Sequence, residues 1–328
     1  MGYVNGNEAM IVQLYYCGLC FYRPQSAAKT GSAGPIYDEK GVVVMRSLVF
    51  YDGKIVEKDQ PVVCVEDRGY QFGDGVYDAW MVFNGKHFLR KEHLDRFERS
   101  CNMLDITPCY TRAEVEQFSD LLLKESGIER GMFYFQWTRG WQSPRNHVSV
   151  PNLRPILSGS IIPVSPKPAE FYTQGCKTIF YPDERQHFCH IKTLNLLGSV
   201  MASNAAAKAG CQEVIFIRED GGKKFVTESA HSNCYAVKDG VIHTAPLGKL
   251  ILPGITRAVA LQIANKLGIK VVEEFCTPEF FTSADEVFVS AASGIVPVGS
   301  IDGKPVGNGV GQIFAQLNAE YQKLIDNN

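Results

Sequence analysis

The sequence predicts an α/β protein built from two mixed α/β domains, and three observations carry that expectation. At 328 residues the chain exceeds the size at which one hydrophobic core keeps growing, so a second core is expected. Short strand signals joined by two-residue turns alternate with helix-period stretches, without the regular strand–helix winding of a fully parallel sheet. Near the middle lies Pro163-Val-Ser-Pro-Lys-Pro168, a proline density that favours an extended linker. The expected boundaries are an N-terminal extension over 1–46, a small α/β domain over 47–163, a linker over 164–168 and a second domain over 169–328.

Along the chain, Ser26–Pro35 is small, polar and turn-rich, and residues 1–46 carry no chemistry that can be assigned. Ser47–Tyr51 and Lys54–Glu57 flank Asp52-Gly53, and Ala79–Phe83 and Lys86–Leu89 flank Asn84-Gly85. Such dipeptides between apolar runs predict tight hairpins, because both turn positions need positive φ. Leu94, Phe97, Cys101 and Leu104 recur at helical spacing, as do Val115, Phe118, Leu121 and Leu122. Strands are expected at Met132–Arg139 and Pro155–Ile162. In the second half they are expected at Thr178–Tyr181, Glu213–Arg218, Asn233–Lys238, Val241–Thr244, Lys270–Glu274 and Glu286–Ser290. Helices are expected at Leu194–Ala209, Thr256–Leu267 with Thr256 as cap, and Val310–Ile325.

Composition narrows the function. Against 35 acidic residues stand 33 Lys and Arg, giving a formal net charge of −2. No long-range field exists to gather nucleic acid or anionic lipid, so a small-molecule ligand is expected. No stretch reaches the ~20 apolar residues of a membrane span, and Met10–Tyr22, interrupted by Gln13, has no basic region before it. A cytoplasmic protein is therefore expected. The ten cysteines are scattered through apolar or helical contexts, the pattern of reduced, buried thiols. Cys17-Gly-Leu-Cys20 has no second pair or HxxxH near it to complete a metal site, so no metal is expected.

Lys192 lies between an expected strand and the apolar Leu194-Asn-Leu-Leu-Gly198. A lone lysine is usually a solvated surface charge, but this context predicts a buried strand-to-helix turn. Burial disfavours the ammonium form and frees the amine to attack an aldehyde.

Several segments then occur together in one order: Asp67-Arg-Gly-Tyr-Gln-Phe-Gly-Asp-Gly-Val-Tyr77, Glu92-His-Leu-Asp-Arg96, Lys192-Thr-Leu-Asn-Leu-Leu197, Val226-Thr-Glu228, Asn233, Gly254-Ile-Thr-Arg257 and Ala284-Asp-Glu-Val-Phe288. From about Ser47 to the C-terminus the chain resembles the fold-type IV enzymes that use pyridoxal 5′-phosphate. That class includes D-amino acid and branched-chain aminotransferases and aminodeoxychorismate lyase. The resemblance implies a small N-terminal α/β domain and a larger C-terminal pseudo-barrel α/β domain that binds the cofactor.

By that resemblance Lys192 forms the Schiff base with the cofactor, and Glu228 faces its ring nitrogen and keeps it protonated. Arg96 is implied to bind the phosphate with its guanidinium fork, and Ile255 and Thr256 to offer helix-start N–H groups to it. The segment Ser143-Pro-Arg-Asn-His147 resembles D-amino acid aminotransferases in particular. It implies that Arg145, His147 and Tyr77 surround the substrate carboxylate, with the loop reaching across a homodimer interface.

Four positions depart from the family pattern. Ser229 stands where glycine is usual, Ala230-His-Ser232 where small hydroxyl residues follow, and Asp78 where glutamate is usual. Ser290-Ala-Ala-Ser-Gly294 runs one residue short, with alanines in place of a Ser-Thr pair, so Ser293 is the expected phosphate ligand there and His231 an expected pocket or substrate contact. The implied activity is transfer of an amino group from a D-amino acid to a 2-oxo acid by a ping-pong mechanism. A branched-chain L-amino acid aminotransferase, aminodeoxychorismate lyase, an (R)-amine aminotransferase and a catalytically impaired cofactor-binding homologue are the alternatives.

Overall fold

The computed structural model describes residues 47–328 and, before them, the backbone of two paired strands, β1 (Ile36–Tyr37) and β2 (Val43–Val44). Cys17, Cys20 and most of the N-terminal extension lie outside the described residues.

The first hairpin, β3 (Leu48–Tyr51) and β4 (Lys54–Glu57), turns at Asp52-Gly53, with φ of 47° and 88°. Its counterpart, β5 (Gly75–Phe83) and β6 (Lys86–His87), turns at Asn84-Gly85 with φ of 51° and 68°. Positive φ at both turn positions is what those dipeptides tolerate. Between the hairpins lies the short helix α1 (Arg68–Phe72), capped by Asp67. Helices α2 (Arg90–Met103) and α3 (Arg112–Ser126) follow, the latter started by a capping box in which Thr111 and Glu114 exchange hydrogen bonds. Such a cap contributes about 1 kcal/mol. Strands β7 (Gly131–Thr138) and β8 (Ile156–Pro163) complete an antiparallel six-stranded sheet, in order β4-β3-β8-β7-β5-β6. Leu94, Phe97, Val115 and Leu122 from the helices pack with Trp80, Phe133 and Phe135 of the sheet, burying the helical stripe read from the sequence.

After a short helix α4 (Glu170–Thr173), the second half is organised on β9 (Cys176–Pro182), α5 (Leu197–Lys208), β10 (Glu213–Asp220), β11 (Lys223–Ser229), β12 (Asn233–Lys238) and β13 (Val241–Thr244). It continues through α6 (Ile255–Lys266), β14 (Val271–Glu273), α7 (Pro278–Thr282), β15 (Glu286–Ala291), β16 (Gly294–Ile301), β17 (Lys304–Pro305) and α8 (Gln312–Asp326). The strands form a mixed sheet, a half-barrel, in order β11-β10-β9-β16-β15-β12-β13-β14 with β17 beside β16. Met81 and Phe83 of β5, with Phe88 just beyond β6, pack into one core with Tyr235 of β12, Val259 of α6 and Tyr321 of α8. The two sheets thus meet through packed side chains, and that seam positions the site.

Several local expectations change. The helix expected from Leu194 starts at Leu197, because residues 192–194 pair with β5 instead: Tyr77 N–H donates to Lys192 C=O at 2.9 Å and Leu194 N–H to Gly75 C=O at 3.0 Å. Lys192 is consequently only partly buried, not the buried turn residue expected. Thr256 lies inside α6, whose N-cap is Gly254. A Cβ at Gly254 would stand 2.1 Å from Asn233 Oδ1, so the chain enters that helix through a gap that admits glycine. Strands β11 and β16 were not anticipated, since Lys223-Lys224 and the Gly294, Pro297 and Gly299 of β16 mute the strand signal. Among the described cysteines, Cys64 and Cys109 are exposed rather than buried, because they sit in connecting segments.

Candidate active site at the seam of the two sheets

The pairing of residues 192–194 with β5 brings Lys192 Nζ to 4.2 Å from the centre of the Tyr77 ring, which stacks on Tyr134 at 5.3 Å. The Lys192 N–H donates to Ser100 Oγ at 3.4 Å, tying the segment to α2.

One residue beyond Tyr77, Asp78 points to the opposite face of the strand and is fully buried. Arg96, one turn along α2 from His93, donates from Nε to Asp78 Oδ2 and from Nη2 to Oδ1, both at 2.8 Å. His93 Nδ1 lies 2.8 Å from Asp78 Oδ1. Burial alone would raise the Asp78 carboxyl, but the charge of Arg96 and the His93 contact outweigh it and hold it well below the ordinary range. Burial lowers His93, with Asp78 opposing.

Arg96 Nη1 reaches Pro253 C=O at 3.3 Å, which links this group to the start of α6. Gly254 caps that helix with no side-chain bond. The first N–H groups of a helix have no intrahelical acceptor, so Ile255 and Thr256 present the positive end of the helix there.

On the other side of Pro253, Leu252 N–H donates to Glu228 Oε2 at 3.0 Å, and Asn233 Nδ2 donates to the same oxygen at 2.9 Å. Arg185 Nη1 donates to Oε1 at 2.6 Å. Burial pushes the Glu228 carboxyl above its ordinary range, while Arg185 and the Leu252 N–H pull the other way. In Arg185 burial favours the neutral form, but Glu228 and Asp183 outweigh it and raise the guanidinium's pKa. Three donors converge on the two Glu228 oxygens and offset part of the cost of burying its charge.

Arg185 is itself gripped by Asp183, at 2.9 and 3.0 Å, and Asp183 also meets Arg218 Nη2 at 3.3 Å and Thr227 Oγ1 at 2.8 Å. A cavity of about 540 Å³ adjoins the site, lined by Phe72, Arg185, Gln186, Leu194, Asn195 and Met201 among others. Another, of about 560 Å³, borders Asp183 and Arg218, and Lys192 lines neither.

The register pairing Asn233 with Ser290 puts the β15–β16 turn at the end of the sheet where Asn233 meets Glu228. That turn carries Ser293, whose Oγ accepts from Lys167 Nζ at 3.3 Å. Contacts thus join Lys192 to Tyr77, and Arg96 through the start of α6, where Ile255 and Thr256 lie, to Glu228, while Ser293 meets Lys167.

Three expected residues stand outside this circuit of contacts. Arg145 and His147 are exposed, both against Phe72: the Arg145 guanidinium lies 4.3 Å from its ring centre and the His147 ring 5.1 Å. Their loop is held by the buried Arg68, which donates to Asn146 and His147 C=O at 2.6 and 2.8 Å and to Asp74 Oδ2 at 2.8 Å. His231 is exposed, and its Nε2 lies 2.8 Å from Ser203 Oγ on α5. Sequence reasoning missed Arg185, Asp183, His93 and Arg68. Arg185 precedes Glu228 by 43 positions, a separation with no periodic signature, whereas His93 and Arg68 lay inside quoted motifs without a role.

Comparison with known proteins agrees with this architecture. The amino-transferase class IV family model matches residues 75–301. A D-alanine aminotransferase of Staphylococcus epidermidis is 42% identical over 280 residues, covering 84% of this chain and 97% of that protein. The Listeria monocytogenes D-alanine aminotransferase is 40% identical, covering 84% and 96%. Among solved structures, the branched-chain amino acid aminotransferase of Escherichia coli superposes with a TM-score of 0.78 at 23% identity, covering 85% of this chain and 95% of that one. A Thermoproteus uzoniensis branched-chain aminotransferase with norvaline gives 0.75 at 26%, covering 86% and 95%.

Proposed function

The chain belongs to the class IV amino-transferases, and from that premise we propose that it moves the amino group of a D-amino acid to a 2-oxo acid with pyridoxal 5′-phosphate held at Lys192. The observation that carries this reading is the circuit Lys192–Tyr77–Asp78–Arg96–Pro253–Leu252–Glu228. It gathers a primary amine, a buried acid and a buried guanidinium beside an uncapped helix start. Those groups match what this cofactor needs: an amine for its aldehyde, an acid for its ring nitrogen and donors for its phosphate.

When bound, pyridoxal 5′-phosphate supplies an electron sink for the charge left at the substrate Cα. Lys192 Nζ would anchor the cofactor and, as a free amine, would serve as the base that moves the Cα proton. Glu228 would keep the ring nitrogen protonated, with Arg185 and Asn233 orienting its carboxylate. Arg96, with Asp78 fixing its plane, would bind phosphate oxygens together with the N–H groups of Ile255 and Thr256 and the hydroxyl of Ser293. His231 is exposed, with Nε2 2.8 Å from Ser203 Oγ, and takes no part in proton transfer in this reading.

The D-selective reading is supported by the Ser143–His147 loop and by the D-alanine aminotransferase relatives. Arg145 and His147 are exposed within one protomer, and Tyr70, Trp141, Val148 and Leu197 are exposed apolar side chains nearby in the chain or along the same cavity. A second copy covering that surface would receive Arg145 and His147 at its own Lys192, beside Tyr77, to grip the substrate carboxylate; the working unit in this reading is a homodimer. A cytoplasmic setting accords with the buried thiols of Cys101, Cys189 and Cys234.

The test is Lys192→Ala, which should remove the protein's visible cofactor absorbance and its turnover of D-alanine with 2-oxoglutarate. Full activity in that variant would refute the assignment. Faster turnover of L-leucine than of D-alanine would instead make it a branched-chain enzyme.

A further inference from the structure

We propose that His243, Glu274 and Cys276 form a binding site for a zinc-class divalent metal at the edge of the large sheet. A ring nitrogen of His243, a carboxylate oxygen of Glu274 and the Cys276 sulfur all lie within 4.8 Å of one another. His243 Nδ1 already stands 3.0 Å from Glu274 Oε1. Ligand atoms bonded to one tetrahedral zinc at about 2.0–2.3 Å are roughly 3.3–3.8 Å apart, so small side-chain rotations close the site.

The backbone fixes all three positions. His243 lies on β13, which pairs in parallel with β14 and ends where β14 ends. Glu274 follows β14 directly, and its N–H donates to Thr244 C=O at 2.9 Å. Two residues on, Cys276 accepts from Val226 N–H at 2.9 Å through its carbonyl and leads into α7, which Thr277 caps. Phe280 of α7 presents an edge-on contact to the His243 ring at 4.8 Å and limits its rotation. The Cys276 side is buried, whereas the Glu274 side chain is 56% exposed, so an ion has a route in from solvent.

The donor set decides the class of ion. Thiolate, imidazole and carboxylate together suit zinc or cobalt, while magnesium and calcium require mostly oxygen ligands. The two anionic ligands would balance a divalent charge, and water would complete the tetrahedron. β14 is the terminal strand of its sheet, so a metal here ties the last strand to β13 and to α7. Its role is to stabilise the fold, and it shares no residue with the amino-transfer groups.

The experiment uses the holoenzyme, stripped with a chelator and titrated with cobalt(II) or zinc(II). Expected results are one cobalt per chain, with tetrahedral d–d bands to the red of the cofactor absorption, and a zinc-induced rise in Tm of about 2 °C or more. His243→Ala and Cys276→Ser should each abolish the cobalt bands and weaken zinc at least about tenfold, the least that loss of even an indirect ligand contact causes. Metal-free turnover should stay at the wild-type level in both. Absence of the bands, or metal binding that survives both substitutions, overturns the site. Should Cys276→Ser fail to fold, the exposed Glu274→Gln carries the test, and unchanged zinc affinity in that variant overturns the proposal.

Discussion

Arg96 grips Asp78 with both arms of its fork, Nε on one carboxylate oxygen and Nη2 on the other at 2.8 Å, in a place where neither side chain is more than 4% exposed. The pair fixes the plane of the guanidinium and leaves Nη1 aimed at the start of α6. Removing one member of a buried pair strands the other, at a cost of about 3–5 kcal/mol. Asp78→Asn should therefore lose about that much stability in urea unfolding and bind pyridoxal 5′-phosphate more weakly. Asp78→Glu, the longer acid usual in the family, should retain both.

Arg185 reaches Glu228 at 2.6 Å and carries no other assigned role. In Arg185→Gln the burial that pushes the Glu228 carboxyl up loses its principal counterweight. The acid should then protonate at higher pH and hold its proton less available to the cofactor ring. Expected is a drop in kcat of about 10- to 100-fold with little change in KM, together with an upward shift of the acid limb of the kcat–pH profile. An unchanged profile would show that Arg185 only packs.

Arg145 tests the shared active site. Charge-assisted hydrogen bonds contribute about 1.5–3 kcal/mol, so Arg145→Ala should raise KM for D-alanine about 10- to 100-fold. Mixing Arg145→Ala chains with Lys192→Ala chains should restore part of the activity at low D-alanine that Arg145→Ala largely loses and Lys192→Ala lacks, since one site of the mixed dimer has both groups intact. No recovery after subunit exchange would mean that each chain uses its own loop.

His87 sets a pH limit on stability. Its Nδ1 accepts from Trp80 Nε1 at 2.8 Å, and burial, aided by Arg90, lowers its pKa to about 4 from 6.5. The unfolded chain takes up a proton below pH 6.5 that the folded one refuses, so stability from this group is complete above pH 6.5 and declines as pH falls toward about 4. The full loss is about 3 kcal/mol. His87→Gln keeps an acceptor for Trp80 but cannot titrate. Urea unfolding at several pH values should show a flatter acid slope in that variant.

Much of this molecule can be read from local chemistry. Asp52-Gly53 and Asn84-Gly85 name their turns because positive φ is a property of the residues themselves, and Leu94, Phe97 and Cys101 name a helix face because its period is intrinsic to the backbone. Lys192, Glu228 and Arg96 could be singled out because the resemblance attaches a role to each short motif. The partners of those residues could not. Asp78 meets Arg96 only once α2 has packed on the first sheet, Arg185 meets Glu228 only once the second sheet has formed, and residues 192–194 meet β5 only where the two halves join. Such ion pairs depend on distances set by strand order and crossover, quantities that no window of neighbouring residues contains. The same packing moved the start of α5 from Leu194 to Leu197, because the backbone groups of residues 192–194 found partners in β5 instead of in a first helical turn.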